Sequence, residues 1–432
     1  MSEADLDSAP AEEAEADVQV LRDPADGTPE PITTPFELSE AIAGLAAASG
    51  PLAVDAERAS GYRYSQRAYL VQLRREGYRT ILIDPTALPD LSGVTEAMAD
   101  VEFILHAAHQ DLPCLAEVGL RPSRLFDTEL AGRLLGEERV ALATMVESRL
   151  GVRLEKGHSS ADWSTRPLPK EWLTYAALDV ELLVPLRNRL ADELSEAGKA
   201  EWARQEFEAA RLAPPPPPRP DPWRRTSGIH AIRNRRQLAM VRSLWISRNE
   251  LAGERDVAPG RILPDSAIIA AVRRNPTTED ELTQLPVFGG PRQRRQAARW
   301  LSALAAGREL PDGELPTPNL VTADWMPPPA RWRERFPEAA NRLAGAREVI
   351  AGLALAHSVL AQNLLAGDIV RRLAWEPPEE LSISSVAQRL AALGARPWQV
   401  EITADPLLRA LTAPPPDTTV ATESDEQETP PD

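Results

Sequence analysis

Cysteine is nearly absent: Cys114 is the only one in 432 residues. A disulfide framework and a cysteine-rich zinc site are excluded, and the usage fits a reducing cytoplasm. Long apolar runs are missing as well. No stretch approaches the roughly 18 to 20 residues that a bilayer span requires, and the first residues are acidic where a signal peptide would be basic. A cytoplasmic protein without a membrane segment is expected. There is no Gly-x4-Gly-Lys-[Ser/Thr] loop and no Gly-x-Ser-x-Gly elbow, so neither ATP hydrolysis nor an elbow-type serine hydrolase is supported. Lysine is scarce, 3 against 45 arginines, a bias attributed to genomic base composition and not to function.

Acid and proline are plentiful. The net charge is −17, but residues 1–30 alone carry −9 and residues 416–432 carry −6, while residues 219–308 hold 17 basic against 8 acidic groups. A basic module beside an acidic one suits a nucleic-acid enzyme with a carboxylate site better than the overall balance suggests. The acidic ends, 1–31 and 413–432, lack apolar periodicity and are expected to be disordered tails. The polyproline run Pro214 to Pro218 marks a linker over 213–224.

From Pro35 to Leu212 the pattern alternates. Helices are expected at Phe36–Ala48, Leu91–Ala99, Gln110–Glu117, Asp127–Leu135, Leu142–Leu150 and Glu171–Glu206. Strands are expected at Leu52–Asp55, Ala68–Leu73, Thr80–Asp84 and Phe103–Leu105. This describes an α/β domain over 32–212. Beyond the prolines only helical periodicity is seen, divided into modules over 225–309 and 326–412 by a Pro-rich linker over 310–325.

Three apolar segments end in carboxylates. Leu52-Ala-Val-Asp55-Ala-Glu57 places two acids at i and i+2 leaving a strand, hence on one face. Phe103-Ile-Leu-His106 runs into Gln110-Asp111, and Tyr175-Ala-Ala-Leu-Asp179 sets a phenol and an acid on one helix face. Four converging carboxylates repel unless a cation neutralises them, and hard oxygen ligands favour Mg²⁺ or Mn²⁺. A pair of such ions about 3.5 to 4 Å apart is a recurrent device for attack on a phosphodiester.

The order Asp-x-Glu, His-x4-Asp, Tyr-x3-Asp resembles the three motifs of the DEDDy branch of the DEDD exonuclease superfamily. Tyr69-Leu-Val-Gln72-Leu73, Leu125-Phe-Asp127-Thr-Glu-Leu-Ala, and Leu154-Glu-Lys156 through Asp162-Trp163-Ser-Thr-Arg166-Pro167-Leu168 resemble ribonuclease D. Arg248-Asn-Glu-Leu-Ala through Asp265, with Leu285-Pro-Val-Phe288-Gly289, resembles the helicase-and-RNase-D C-terminal (HRDC) domain. Residues 361–399 resemble a second such domain. The resemblance implies an α/β ribonuclease-H-like exonuclease domain followed by two small all-α HRDC-type domains. It implies a metal-dependent 3′→5′ exoribonuclease that releases nucleoside 5′-monophosphates. Asp55, Glu57 and Asp179 would hold one ion, Asp55 and Asp111 a second, and Tyr175 would orient or deprotonate the attacking water. The chain departs from the family at Arg58, where an apolar or small residue is more usual, and at Ser159 to Ala161.

Other residues carry two readings each. His106 could make a hydrogen bond behind the site or simply pack, and Trp163 and Arg166 could hold a base and a phosphate or anchor a loop. His109 and His158 are read as structural or exposed, and Trp325, Trp332 and Trp398 as core. The arginines at 224–225, 233–236 and 292–299 suit phosphate contacts. The substrate expected is the 3′ end of RNA, such as a tRNA precursor or another stable RNA, acted on by a monomer. A 3′→5′ DNA exonuclease and a non-catalytic RNA-binding adaptor are the alternatives.

Overall fold

The computed structural model describes residues 19–155, 157–158, 160–215, 217–318 and 326–412. Lys156, Ser159, Pro216, Trp325 and the acidic ends at 1–18 and 413–432 lie outside the described residues.

Eight strands are present among them: β1 (Gln19–Leu21), β2 (Pro31–Ile32), β3 (Ser49–Arg58), β4 (Ala68–Glu76), β5 (Ile81–Ile83), β6 (Glu102–Leu105), β7 (Arg124–Asp127) and β8 (Val152–Leu154). Six form a mixed sheet in the order β2-β5-β4-β3-β6-β7, in which β4 is antiparallel to both neighbours and the other pairs are parallel. The helices of this part are α1 (Pro35–Ala47), α2 (Ser92–Ala97), α3 (Leu112–Glu117), α4 (Thr128–Leu134), α5 (Leu142–Leu150), α6 (Lys170–Glu181), α7 (Leu183–Glu196) and α8 (Ala200–Leu212). The N-terminal end of α1 is fixed by a capping box: Thr34 Oγ1 accepts from the Glu37 amide, Glu37 accepts from the Thr34 amide, and Pro35 opens the helix.

Sequence periodicity placed most of these elements, with three corrections. Residues 19–31 are not featureless, because β1 pairs in parallel with β8. Three residues cannot announce a strand by alternation, and β1 exists only because β8 offers an edge. The single helix expected over 171–206 is three: Pro185 has no N–H for the carbonyl of Glu181, so α6 stops there, and Gly198 at φ +69° closes α7. Finally, β7 precedes α4 where the helix alone was expected; its buried Leu125 and Phe126 are too short an apolar run to reveal a period.

The chain forms two compact units. The first comprises residues 19–129, 139–191 and 207–318. It holds the sheet and a helical module built on α9 (Arg235–Arg255) and the helix Ala297–Glu309, packed around Leu244, Phe288 and Trp300. These two helices approach closely at Gly307, where any side chain would meet the Met240 backbone at 2.5 Å. Within this unit the module is tied to the loop that follows β3. The Ala258 amide donates to the Tyr62 carbonyl, Arg261 Nε donates to the Gly61 carbonyl, and Asp256 accepts from the Ser65 amide and the Tyr69 hydroxyl. The second unit comprises residues 130–138, 192–206 and 326–412, so a piece of the chain expected with the sheet packs with the C-terminal helices. There Trp202 stacks on Trp398 at 4.5 Å, and buried Lys199 donates to the Leu134 and Ser358 carbonyls. Among the described residues no helix is long and apolar enough to cross a membrane.

Candidate active site

β3 sits centrally in the sheet, and alternation sends Ala53, Asp55 and Glu57 to the face covered by α6. That helix buries Leu173, Ala176, Ala177 and Val180, which leaves Tyr175 and Asp179, one turn apart, directed at the acids. Carboxylate oxygens of Asp55, Glu57 and Asp179 come within 4.8 Å of one another. The Tyr175 hydroxyl faces Asp179 closely enough to lower its pKa.

Asp111 arrives by another route. β6 ends at Leu105, Ala107 takes a left-handed φ of +57°, and a short 3₁₀ turn delivers Asp111 to the start of α3. Asp127 holds this turn: its buried carboxylate accepts from the amides of Ala107 at 3.1 Å and Ala108 at 2.8 Å. His106 Nδ1 pairs with Thr128 Oγ1 at 2.9 Å, which joins the same turn to the beginning of α4. This role of Asp127 follows from its burial at the end of β7, which sequence alone does not carry.

The electrostatics follow from burial and crowding. Burial raises Asp55 to about 6. Burial, and then the charges of Asp55, Asp179 and Asp111, push Glu57 well above the usual carboxylate range. Asp111 is raised by burial and by Asp55, and Asp179 by burial and Asp55 against the lowering effect of the Tyr175 hydrogen bond. Tyr175 is itself raised by burial and by Asp179, so it is a neutral donor at physiological pH. Carboxylates so disfavoured as anions fit a divalent cation, which restores the charged form and accepts hard oxygen donors.

A pH dependence follows for the metal-free protein. An unfolded Asp titrates near 4, whereas Asp55 in the fold titrates at about 6. The folded state therefore binds more protons between those values, and this contribution to stability is lost as pH rises through them. With chelator present, the Tm of Asp55→Asn should gain on wild type progressively from about pH 4 to pH 7. A constant difference would contradict the raised acid.

Two residues offered as nucleotide contacts or loop anchors are engaged within the fold. Trp163 is 0% exposed, packed among Leu70, Leu173 and Ala176, and cannot stack on a base. Arg166 is committed to Asp84 through Nε at 2.6 Å and Nη2 at 2.8 Å, and to the carbonyls of Tyr69 and Trp163. It staples the loop before α6 to the sheet, for which the apolar anchor Trp163 supplies the packing. Arg166→Ala should cost about 2 kcal/mol in chemical denaturation, since it leaves buried Asp84 without its cation. Unchanged stability would restore a substrate role for the guanidinium.

Two further residues escaped the sequence reading. Gln72 is 0% exposed and lies directly across from Asp55 in the β3–β4 register, yet neither amide atom has a hydrogen-bond partner among the described residues. Arg22, from the segment expected to be disordered, lines a cleft of about 410 Å³ with His158, Thr174 and Tyr175.

Comparison with known proteins agrees with this construction. Residues 29–195 match the 3′-5′ exonuclease family, residues 237–304 the HRDC domain, and residues 325–411 the 3′ to 5′ exonuclease C-terminal domain. Ribonuclease D of Acidiphilium cryptum is 30% identical over 369 residues, covering 83% of this chain and 90% of that one. Ribonuclease D of Escherichia coli is 30% identical over 278 residues, covering 63% and 73%. Among solved structures, a protein from Bifidobacterium adolescentis matches with a TM-score of 0.86 at 36% identity over 92% of this chain and 100% of that one. Escherichia coli RNase D, described as an exoribonuclease involved in structured RNA processing, matches with 0.63 at 26% identity over 88% and 98%. With the acids of β3 and α6 gathered on one face and relatives aligned along nearly their whole length, the chain belongs to the ribonuclease D family of 3′→5′ exoribonucleases.

Proposed function

We propose that this chain trims RNA from its 3′ end one nucleotide at a time, releasing nucleoside 5′-monophosphates, and that its substrates are tRNA precursors or other structured stable RNAs. The carrying observation is the approach of Asp55, Glu57 and Asp179 within 4.8 Å beside a tyrosine that faces the third. In this reading those three hold one Mg²⁺ or Mn²⁺, and Asp55 with Asp111 hold a second. Bound there, the ions would lower the pKa of the attacking water and stabilise the departing 3′ oxygen.

The protein's own groups do the rest. Asp127 fixes the turn that presents Asp111, and α6 fixes Asp179 and Tyr175 in one register. Tyr175, raised in pKa and neutral, orients the attacking water and does not deprotonate it. The cleft beside Tyr175, lined by Arg22 and His158, has room for a terminal nucleotide. The reading takes the enzyme to act as a monomer and places it in the cytoplasm, the latter consistent with a lone buried cysteine outside any disulfide. Matched RNA and DNA oligonucleotides with Mg²⁺ test the substrate class: faster release from RNA supports it, and faster release from DNA overturns it.

The helical module is assigned to phosphate contact. Several arginines of residues 233–236 are engaged within the fold, Arg235 with the Leu315 and Pro316 carbonyls and Arg236 with Asp312. Arg292 and Arg295 are exposed. Replacing both by Glu should weaken structured-RNA binding and reduce the slope of log K against log salt by about 2, at slightly under one unit per lost phosphate contact. An unchanged slope would remove the module from RNA binding.

A further inference from the structure

Arg58 follows directly on Glu57 at the end of β3. The β3–β4 register slips by one residue between Glu57 and Arg58. There the Arg58 guanidinium meets Asp111, with Nη2 3.5 Å from Oδ1. The two side chains are 26% and 9% exposed, so the pair sits at the mouth of the site with its arginine reachable from solvent. Asp111 stands outside the group formed by Asp55, Glu57 and Asp179, and the other titratable groups that interact with it are Asp55, Glu57, Asp179, Asp127 and Cys114. None of these is a cation.

We propose that Arg58 is a positioning residue that holds Asp111 as an internal counter-cation, so that the second divalent ion enters only when a substrate phosphate draws the guanidinium away. The inference rests on the metal assignment made above. Charge balance supports it. With all four carboxylates ionised, one divalent ion and Arg58 leave a single uncompensated negative charge. A second divalent ion would turn this into an excess positive charge in a largely buried site, at a cost. A phosphodiester supplies the missing negative charge, and guanidinium is well shaped to receive it. An apolar residue at this position would leave Asp111 open to the ion without substrate.

The test is Mn²⁺ binding to the full chain, read by electron paramagnetic resonance of free Mn²⁺, with and without AMP as the phosphate probe. Wild type should bind one ion tightly and a second at least ten-fold more weakly, and AMP should close that gap. Arg58→Met should bind the second ion at least ten-fold more tightly than wild type without AMP, whereas Arg58→Lys should retain the wild-type pattern. Should Arg58→Met fail to fold, Arg58→Gln serves instead: it keeps a polar side chain without the charge and should likewise bind the second ion at least ten-fold more tightly than wild type without AMP. Equal second-ion affinity in wild type and Arg58→Met overturns the role of Arg58 while the metal assignment stands. Failure of wild type to bind any ion, with Asp55→Asn indistinguishable from it, overturns the metal assignment and this inference together.

Discussion

Asp55→Asn is expected to lower kcat for RNA trimming by about 10³-fold or more, some 4 kcal/mol of transition-state stabilisation, while leaving the metal-free fold at least as stable as wild type. The two halves have one cause. Asp55 is shared between both proposed ions, so neutralising it weakens each. The same anion is unfavourable in the empty fold, where burial raises it to about 6, so its removal relieves repulsion on Glu57 and Asp179. The amide is isosteric and disturbs no packing. Asp179→Asn should behave alike, with the further loss of the acceptor for Tyr175. Retention of more than about a tenth of wild-type kcat, a loss under 1.4 kcal/mol, would remove these acids from metal binding. A fall in activity matched by a fall in Tm would instead assign them a structural role.

Tyr175→Phe carries the second large effect and separates orientation of the water from metal binding. The hydroxyl lies one turn from Asp179 and faces it, bears no charge near neutral pH, and adds nothing to the ligand set. Its loss should lower kcat by roughly 10- to 10⁴-fold with Mn²⁺ affinity nearly unchanged. The hydrogen bond lowers the Asp179 pKa, so losing it should also shift the acidic limb of the pH–rate profile upward. The ring also packs beside Trp163 and His158, and Phe keeps that contact. Near-wild-type single-turnover rates across a Mn²⁺ titration would reduce Tyr175 to a packing residue.

Three of the acids are legible in the sequence because they interrupt apolar runs, Asp55 and Glu57 within β3 and Asp179 within α6, where a carboxylate needs a reason. Asp55 and Glu57 show their shared face by spacing alone, as do Tyr175 and Asp179. Pairings across the sheet do not show. Gln72 lies against Asp55, and Arg58 against Asp111, through strand register and its slip, and no local pattern encodes register. Trp163 and Arg166 misled for a related reason. In sequence an aromatic and a cation beside a catalytic helix have the composition of a nucleotide contact, and only the position of Asp84, 82 residues away, shows that the arginine is already satisfied. The split of 171–206 into three helices is written in Pro185 and Gly198, which helical periodicity by itself does not register. Short parallel strands such as β1, β7 and β8 exist through their partners, so they are the elements that periodicity cannot supply.

The most direct test of the account is product analysis on one RNA sequence in linear and circular form, with Mg²⁺ and with chelator. The account predicts that the linear RNA shortens from its 3′ end with release of nucleoside 5′-monophosphates only when Mg²⁺ is present, and that the circular form is untouched. Cleavage of the circle, or mononucleotide release that survives chelation, would contradict it.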